Sequence, residues 1–425
     1  MGSDSGLAAA EFRGRSDGFA LKIIGGLGVL IVSVGGFADA RAAAPERGFA
    51  ISPTVRLTYD SNVLGGRQVI RDDTISGSDD FRLSPSLAVN VVYPFGRQSA
   101  FLGGSIGYDF YRRHDELNRE RISLDGGVNV RGPASCASVL GVGYSRRQSD
   151  AEDLILAPDG STLVNVANVQ ETRRYSANIT CGAAIGLRPG VGYTRSETRN
   201  SGIRAFQNVI SDTYTGSLGY ARPSFGQLSL YVSYRDGRYP NRGLLTGAVG
   251  EDGIRVYSGG LSYDREIGSR LGGSVSVGFT KVNPDAPDVP TFNGLSYSAA
   301  IRYQPFDRLN TSISASRSAE QSNLLAVSYS ISTSYSFNGT YRINDRFSLP
   351  FGARYSTRSF RSSPLLPGAL TGTEDHTFNA NMGVRFQARQ RLSFALDAAY
   401  RKRTSDTQLL DYSSRQLSAT VGLDF

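Results

Sequence analysis

Apolar and polar side chains alternate along most of this 425-residue chain. In 327–342 one face carries Val327, Tyr329, Ile331, Thr333, Tyr335, Phe337 and Tyr341. The other carries Ser328, Ser330, Ser332, Ser334, Ser336, Asn338, Thr340 and Arg342. Segments 81–95 and 378–386 repeat the pattern, and 417–425 carries it to a final Phe. A period of two is that of a β-strand with one greasy and one wet face. The polar faces are Ser, Asn and Thr with Arg, which suits a wall against water. No strand reads as apolar on both faces, as a buried core strand would.

Strand-like segments recur about every 20 residues, joined alternately by short turns and long polar loops. The short turns are Pro94–Arg97, Arg131–Pro133, Leu187–Gly190, Pro223–Gly226, Glu266–Ser269, Gln304–Asp307, Ile343–Arg346 and Ala388–Arg391, mostly rich in Gly, Pro, Asn and Asp. The long loops fall near 61–79, 112–120, 148–169, 196–209, 237–252, 282–293, 318–325, 358–374 and 402–411. Eight short turns and nine long loops imply about eighteen strands. Turns on one side and loops on the other is the habit of an outer-membrane barrel. The expected fold is therefore an all-β, antiparallel, up-and-down transmembrane barrel. An even count places both ends of the barrel on the periplasmic side, with Phe425 at that rim as the signal the barrel assembly machinery reads.

Composition agrees. Mean hydropathy is -0.24, and beyond the N-terminus no run of about 18 apolar residues offers a spanning helix. Alternation hides lipid-facing residues from that test. Tyr93, Phe95, Tyr303, Phe306, Tyr341 and Phe425 lie beside short turns, and Tyr108, Phe110, Tyr144, Tyr234, Tyr257 and Tyr400 toward long loops. These predict two aromatic girdles at headgroup level.

At the N-terminus, Arg13, Arg15 and Lys22 precede the apolar stretch 23–34, and Ala38-Asp39-Ala40 follows. This reads as a secretory signal peptide over 1–40, then a short periplasmic lead over 41–48 and the barrel over 49–425. The expected location is the bacterial outer membrane. Net charge is +8, but the cations are scattered and no nucleic-acid motif appears. The charge points instead to outer-membrane lipid and lipopolysaccharide phosphates.

Catalytic chemistry is sparse. The two histidines, His114 and His376, fall in expected loops. H-E-x-x-H, C-x-x-C and phosphate-loop patterns are missing, so no catalytic residue, metal or cofactor is expected. Cys136 and Cys181 open and close consecutive strands and meet near the periplasmic edge. They are either a disulfide or two small apolar fillers. Alternation sends charges of both signs inward. The lumen candidates are Arg56, Arg82, Asp109, Arg235, Arg302, Arg342, Arg354, Arg385 and Asp397, with Asp60, Asp125, Asp264 and Asp424 on the same register. They are either cross-strand ion pairs or a transverse field selecting solutes by charge.

Near the mature N-terminus the chain reads Ile51-Ser52-Pro53-Thr54-Val55-Arg56-Leu57-Thr58-Tyr59-Asp60-Ser61-Asn62-Val63, followed by Phe81-Arg82-Leu83-Ser84-Pro85-Ser86-Leu87. This resembles the beta-barrel porin type 2 family, with Tyr59, Asp60, Ser61 and Asn62 as the motif. Asp60 and Asn62 are expected to shape the turn leaving the first strand. The resemblance implies a non-enzymatic conduit for export of an exopolysaccharide, with periplasmic polysaccharide-export proteins as partners. A general or charge-selective diffusion porin is the alternative. A third reading is a non-conducting barrel whose loops bind a partner outside the cell.

Overall fold

The computed structural model describes residues 47–63, 78–133, 135–148, 155–156, 163–164, 168–242, 252–286, 288–322, 327–361, 373–406 and 411–425. Eighteen long strands make one antiparallel sheet. They are β1 (Gly48–Asp60), β2 (Asp80–Phe95), β3 (Gln98–Tyr111), β4 (Arg119–Arg131), β5 (Ala137–Gln148) and β6 (Val169–Thr180). Then come β7 (Gly186–Asn200), β8 (Val209–Arg222), β9 (Gly226–Tyr239), β10 (Asp252–Ile267), β11 (Leu271–Pro284) and β12 (Phe292–Phe306). The last six are β13 (Leu309–Gln321), β14 (Tyr329–Arg342), β15 (Phe347–Arg361), β16 (Glu374–Gln387), β17 (Leu392–Ser405) and β18 (Tyr412–Leu423). A short pair, Ile155–Leu156 with Leu163–Val164, lies in the loop after β5. There is no α-helix among the described residues, only two short 3₁₀ turns.

Each strand pairs with its sequence neighbours, and β1 also pairs with β18 from Thr54↔Gly422 to Asp60↔Gln416, so the sheet closes into a barrel. Phe425 extends the seam: its N–H donates to the Ile51 carbonyl at 2.9 Å and its carbonyl accepts from the Ile51 N–H at 3.2 Å. Closure pairs the backbone without an edge, as hydrocarbon demands. The expected strand count and the alternation of turns and loops both match. At the tight turns, Gly96 and Gly268 each have a φ of 63°, left-handed backbone that a Cβ would strain.

The outward face is apolar and unburied. Leu57, Leu102, Val191, Leu230 and Leu417 are each about half exposed or more, and the same holds around the circumference. So large an apolar belt is foreign to a water-soluble surface and natural against lipid. Above it run tyrosines in register, Tyr193–Tyr214–Tyr234–Tyr257, with successive ring centroids 5.1, 6.3 and 5.0 Å apart. Below it, beside the turns, Tyr93, Phe95, Tyr303, Phe306 and Phe425 are exposed. These are the two girdles that the aromatic spacing predicts.

Three local readings need correction. Val327, Tyr329 and Ile331 were expected on the lipid face with Tyr335 and Phe337, yet all three are buried at the mouth. His376 stands inside β16, where its ring stacks on Tyr355 and Nδ1 lies 3.1 Å from the Tyr355 hydroxyl. Several loops are shorter than expected, since β9, β13 and β17 run on to Tyr239, Gln321 and Ser405. The expected signal peptide lies outside the described residues, and β1 already begins at Gly48.

Candidate channel interior

In β1 the residues between outward Val55, Leu57 and Tyr59 point inward, and cross-strand register carries this assignment around the barrel. By this register Arg56, Arg82, Asp109, Arg235, Arg302, Arg342, Arg354, Arg385 and Asp397 all stand on the inner face, as do Asp60, Asp125, Asp264 and Asp424. Much of the wall between them is hydroxylic. Thr54 meets Ser86 at 2.7 Å, Thr58 meets Ser418 at 3.1 Å, Ser258 meets Thr280 at 2.9 Å and Ser314 meets Ser336 at 2.7 Å. Such a surface is wetted without being sticky.

The charges are not spread evenly. Arg56 shares its electrostatic surroundings with Arg82, Arg121 and Arg385, and with one carboxylate, Asp397. These residues come from β1, β2, β4, β16 and β17, the wall on both sides of the seam. Arg56 Nε donates to Thr420 Oγ1 at 3.1 Å, and Arg82 Nη1 donates to the Tyr111 hydroxyl at 3.1 Å. Neutral oxygens hydrogen-bond the two guanidiniums, while Asp397 faces Arg56 and Asp60 and Asp109 lie in the electrostatic surroundings of Arg82. Asp109 faces Arg121 at 3.7 Å. Across the lumen, Arg235 and Arg354 lie near Glu320 and Arg358, while Arg302 donates to Glu266 at 3.2 Å. Arg342 stands at the turn end of β14, apart from these groups.

The extracellular mouth is built differently. Tyr239, at the end of β9, is fully buried and donates its hydroxyl to the Ser328 carbonyl at 3.1 Å. That carbonyl belongs to the β13–β14 connection, which the sheet separates from β9 by three strands. Ser322 and Ser328, the described ends of that connection, therefore both reach Tyr239 inside the mouth. Ile254, Val256 and Val282, all on the inward register, are buried with Val289, Tyr329 and Ile331. The Tyr329 hydroxyl donates to the Pro290 carbonyl at 2.5 Å. Val327 and inward Phe360 make a second buried pair. Beside them Arg358 grips Asp375 with two donors, at 3.1 and 2.8 Å, and Arg403 reaches the same carboxylate at 2.7 Å. Here the inner face is dry and its charges are matched. This corrects the expectation that no strand is apolar toward the interior. The 148–169 loop, the segment picked from sequence as able to fold inward, lies largely outside the described residues.

The Tyr59–Asn62 motif sits on the seam. Tyr59 is outward, its ring 5.1 Å from that of Phe81. Asp60 Oδ1 accepts from the Asn62 N–H at 2.9 Å, the turn-shaping bond expected of it. The same carboxylate accepts from Ser414 Oγ and Gln416 Nε2 of β18, each at 2.7 Å. Ser61 Oγ accepts from the Arg415 N–H at 2.8 Å, and Asn62 Nδ2 donates to the Ser413 carbonyl at 3.2 Å. The motif thus fastens the first strand to the last. At the opposite rim Cys136 and Cys181 are joined in a disulfide across the start of the β5–β6 pair.

Residues 245–425, from the loop before β10 to the chain's end, match the family model described as "Putative beta-barrel porin 2". The protein is an outer-membrane β-barrel porin. The match covers β10–β18, the half of this porin that does not contain the Tyr59–Asn62 motif. Solved structures of similar fold include OpdK from Pseudomonas aeruginosa with vanillate, at 12% identity and TM-score 0.46 over 89% of this chain and 99% of that one. OccK2 (OpdF) from Pseudomonas aeruginosa gives 12% identity and TM-score 0.47 over 89% and 98%. OccAB3 from Acinetobacter baumannii gives 10% and 0.45 over 89% and 99%. A comparison with curated proteins gives no match. The porin is a channel-type protein and not an enzyme.

Sequence reasoning missed Arg121, Glu320, Arg358, Asp375 and Arg403 on the inner wall, and Tyr239 at the mouth. Parity could have found Arg358, which shares a face with Arg354, and Arg121, which shares one with Asp125. The others lie in segments whose polarity reads as loop.

Proposed function

We propose that this porin is a charge-selective diffusion channel that favours small anionic solutes. The observation carrying this reading is the group Arg56, Arg82, Arg121 and Arg385 on the seam-side wall, four cations set against the carboxylates Asp397, Asp109 and Asp60. A local excess of fixed cations concentrates anions and repels cations, and the effect is strongest where a wall of low polarizability confines the field. Arg56 and Arg82, hydrogen-bonded to neutral hydroxyls, can meet a passing carboxylate, which Arg binds in two-donor geometry. A mouth narrowed where the β13–β14 connection reaches Tyr239 suits small solutes better than a polymer. Polysaccharide export with periplasmic partners rests on family resemblance, and the lumen offers no feature specific to it.

The test is the reversal potential of the protein in a planar bilayer under a salt gradient. Anion selectivity that weakens in Arg56→Gln/Arg385→Gln supports the reading. Cation selectivity, or a selectivity indifferent to both substitutions, defeats it. Block by an acidic polysaccharide but not by small carboxylates would return the export reading to first place.

A further inference from the structure

The outward face above the tyrosine belt divides into two parts. From β4 to β10 most of its cations are matched by carboxylates, Arg173, opposite Tyr144 and Glu197, being the exception among the described residues. Arg146 bridges Glu120 at 2.7 Å and Glu171 at 2.8 Å. Asp212 accepts from Arg238 at 2.8 Å and lies 3.4 Å from Arg195. Arg255 pairs with Asp285. From β11 onward the pattern stops. Lys281, Arg317, Lys402 and Arg415 stand on the outward register near the extracellular ends of their strands. None has a carboxylate within ion-pair distance among the described residues. Opposite each stands an aromatic ring: Tyr257 to Lys281, Tyr297 to Arg317, Phe378 to Lys402 and Tyr400 to Arg415.

Lys281 also marks one end of a groove of about 630 Å³ on this outward face. Gly216 and Gly259 form its floor, and Tyr234, Tyr257 and Phe279 stand along it. Missing side chains at the two glycines leave a hollow on either side of Val232, bordered by aromatic rings and open to the hydrocarbon. Its shape suits an acyl chain. The exposed ammonium stands where that chain's headgroup would begin.

We infer that Lys281 and this groove bind a phosphorylated glycolipid of the outer leaflet, with an acyl chain over Gly216 and Gly259 and a phosphate on the Lys281 ammonium. Arg317, Lys402 and Arg415 extend the same phosphate-facing rim around β13–β18. The lipid supplies the anions that carboxylates supply on β4–β10. Charge-assisted bonds to phosphate are stronger than bonds between neutral groups. The inference is independent of what the lumen passes.

The experiment is native mass spectrometry of the full-length protein, exported and extracted from outer membranes, titrated in detergent with lipid A. Lys281→Gln should weaken retention about tenfold, the value of one charge-assisted bond. Gly259→Leu, which keeps every charge and meets no atom closer than 3.5 Å at its Cβ, should weaken it comparably by filling the groove. Arg238→Gln, in the matched stretch, should leave it unchanged. Heat-modifiable gel migration reports folding for each variant. Retention unaltered in both Lys281→Gln and Gly259→Leu overturns the inference. So does equal binding of dephosphorylated lipid A, or equal competition by phosphatidylglycerol.

Discussion

The waist and the mouth of this barrel obey one rule of alternation and use it in opposite ways. At the seam-side waist the inward register carries Arg56 and Arg82 on hydroxyl partners, Arg121 facing Asp109, and Arg385, so that cations outnumber the carboxylates Asp397, Asp109 and Asp60. At the mouth the same register carries Ile254, Val256, Val282 and Phe360, and Asp375 is shared between Arg358 and Arg403. The inner face of a porin is thus not polar by requirement. It is polar where it meets water and apolar where a loop covers it. Charge at the mouth holds structure together, whereas charge at the waist is free to act on solutes.

Four substitutions probe this contrast, beginning with the most damaging. Asp375→Asn removes the carboxylate that two guanidiniums share, one of them fully buried. Removing one member of such a buried group costs about 3–5 kcal/mol. Urea unfolding in detergent micelles should show it, and an unchanged midpoint would place the triad in water instead of in a dry mouth. Asp60→Ala removes three hydrogen bonds to one carboxylate, two of them across the seam. An expected loss of about 1.5–3 kcal/mol should appear together with slower refolding, read from the gel shift between open and closed chains.

Tyr239→Phe deletes only the hydroxyl that ties the β13–β14 connection to β9. Stability should fall by about 1 kcal/mol, while single-channel records should show larger current noise as the connection loosens. Quiet records would mean that packing by Ile254 and Val282 holds the loop unaided. Arg56→Gln/Arg385→Gln should shift stability by less than about 0.5 kcal/mol, the usual range for such solvated positions. The same double variant should move the reversal potential toward zero. A large stability loss there would erase the distinction between waist and mouth.

The barrel was legible because closure depends on two simple signals. Alternation marks a two-faced strand, and Gly, Pro, Asn and Asp mark tight turns. Both are local, so strand number, orientation and inward register follow without three-dimensional information. The mouth was illegible for the opposite reason. Glu320, Arg403 and Arg238 read as loop residues, but backbone pairing in a closed sheet continues regardless of the side chains it carries. Val327 and Tyr329 alternate perfectly and still leave the lipid face, because Phe360 packs on Val327 and Val289 and Pro290 of the β11–β12 connection cover Tyr329. The Tyr59–Asn62 motif was half legible. The bond from Asn62 to Asp60 is local and foreseeable. The bonds from Ser414 and Gln416 span the whole chain and show only once the ends meet.

That last contact has a meaning for biogenesis. Asp60 is among the first barrel residues to be delivered across the inner membrane, and its partners on β18 are among the last. Until Ser414 and Gln416 arrive, a carboxylate near the free edge of β1 has two of its three hydrogen bonds unmade. A chain cut short, or one whose final strand has slipped by a residue, cannot complete them. The seam works as a checksum: the beginning of the message is satisfied only by the right ending in the right register.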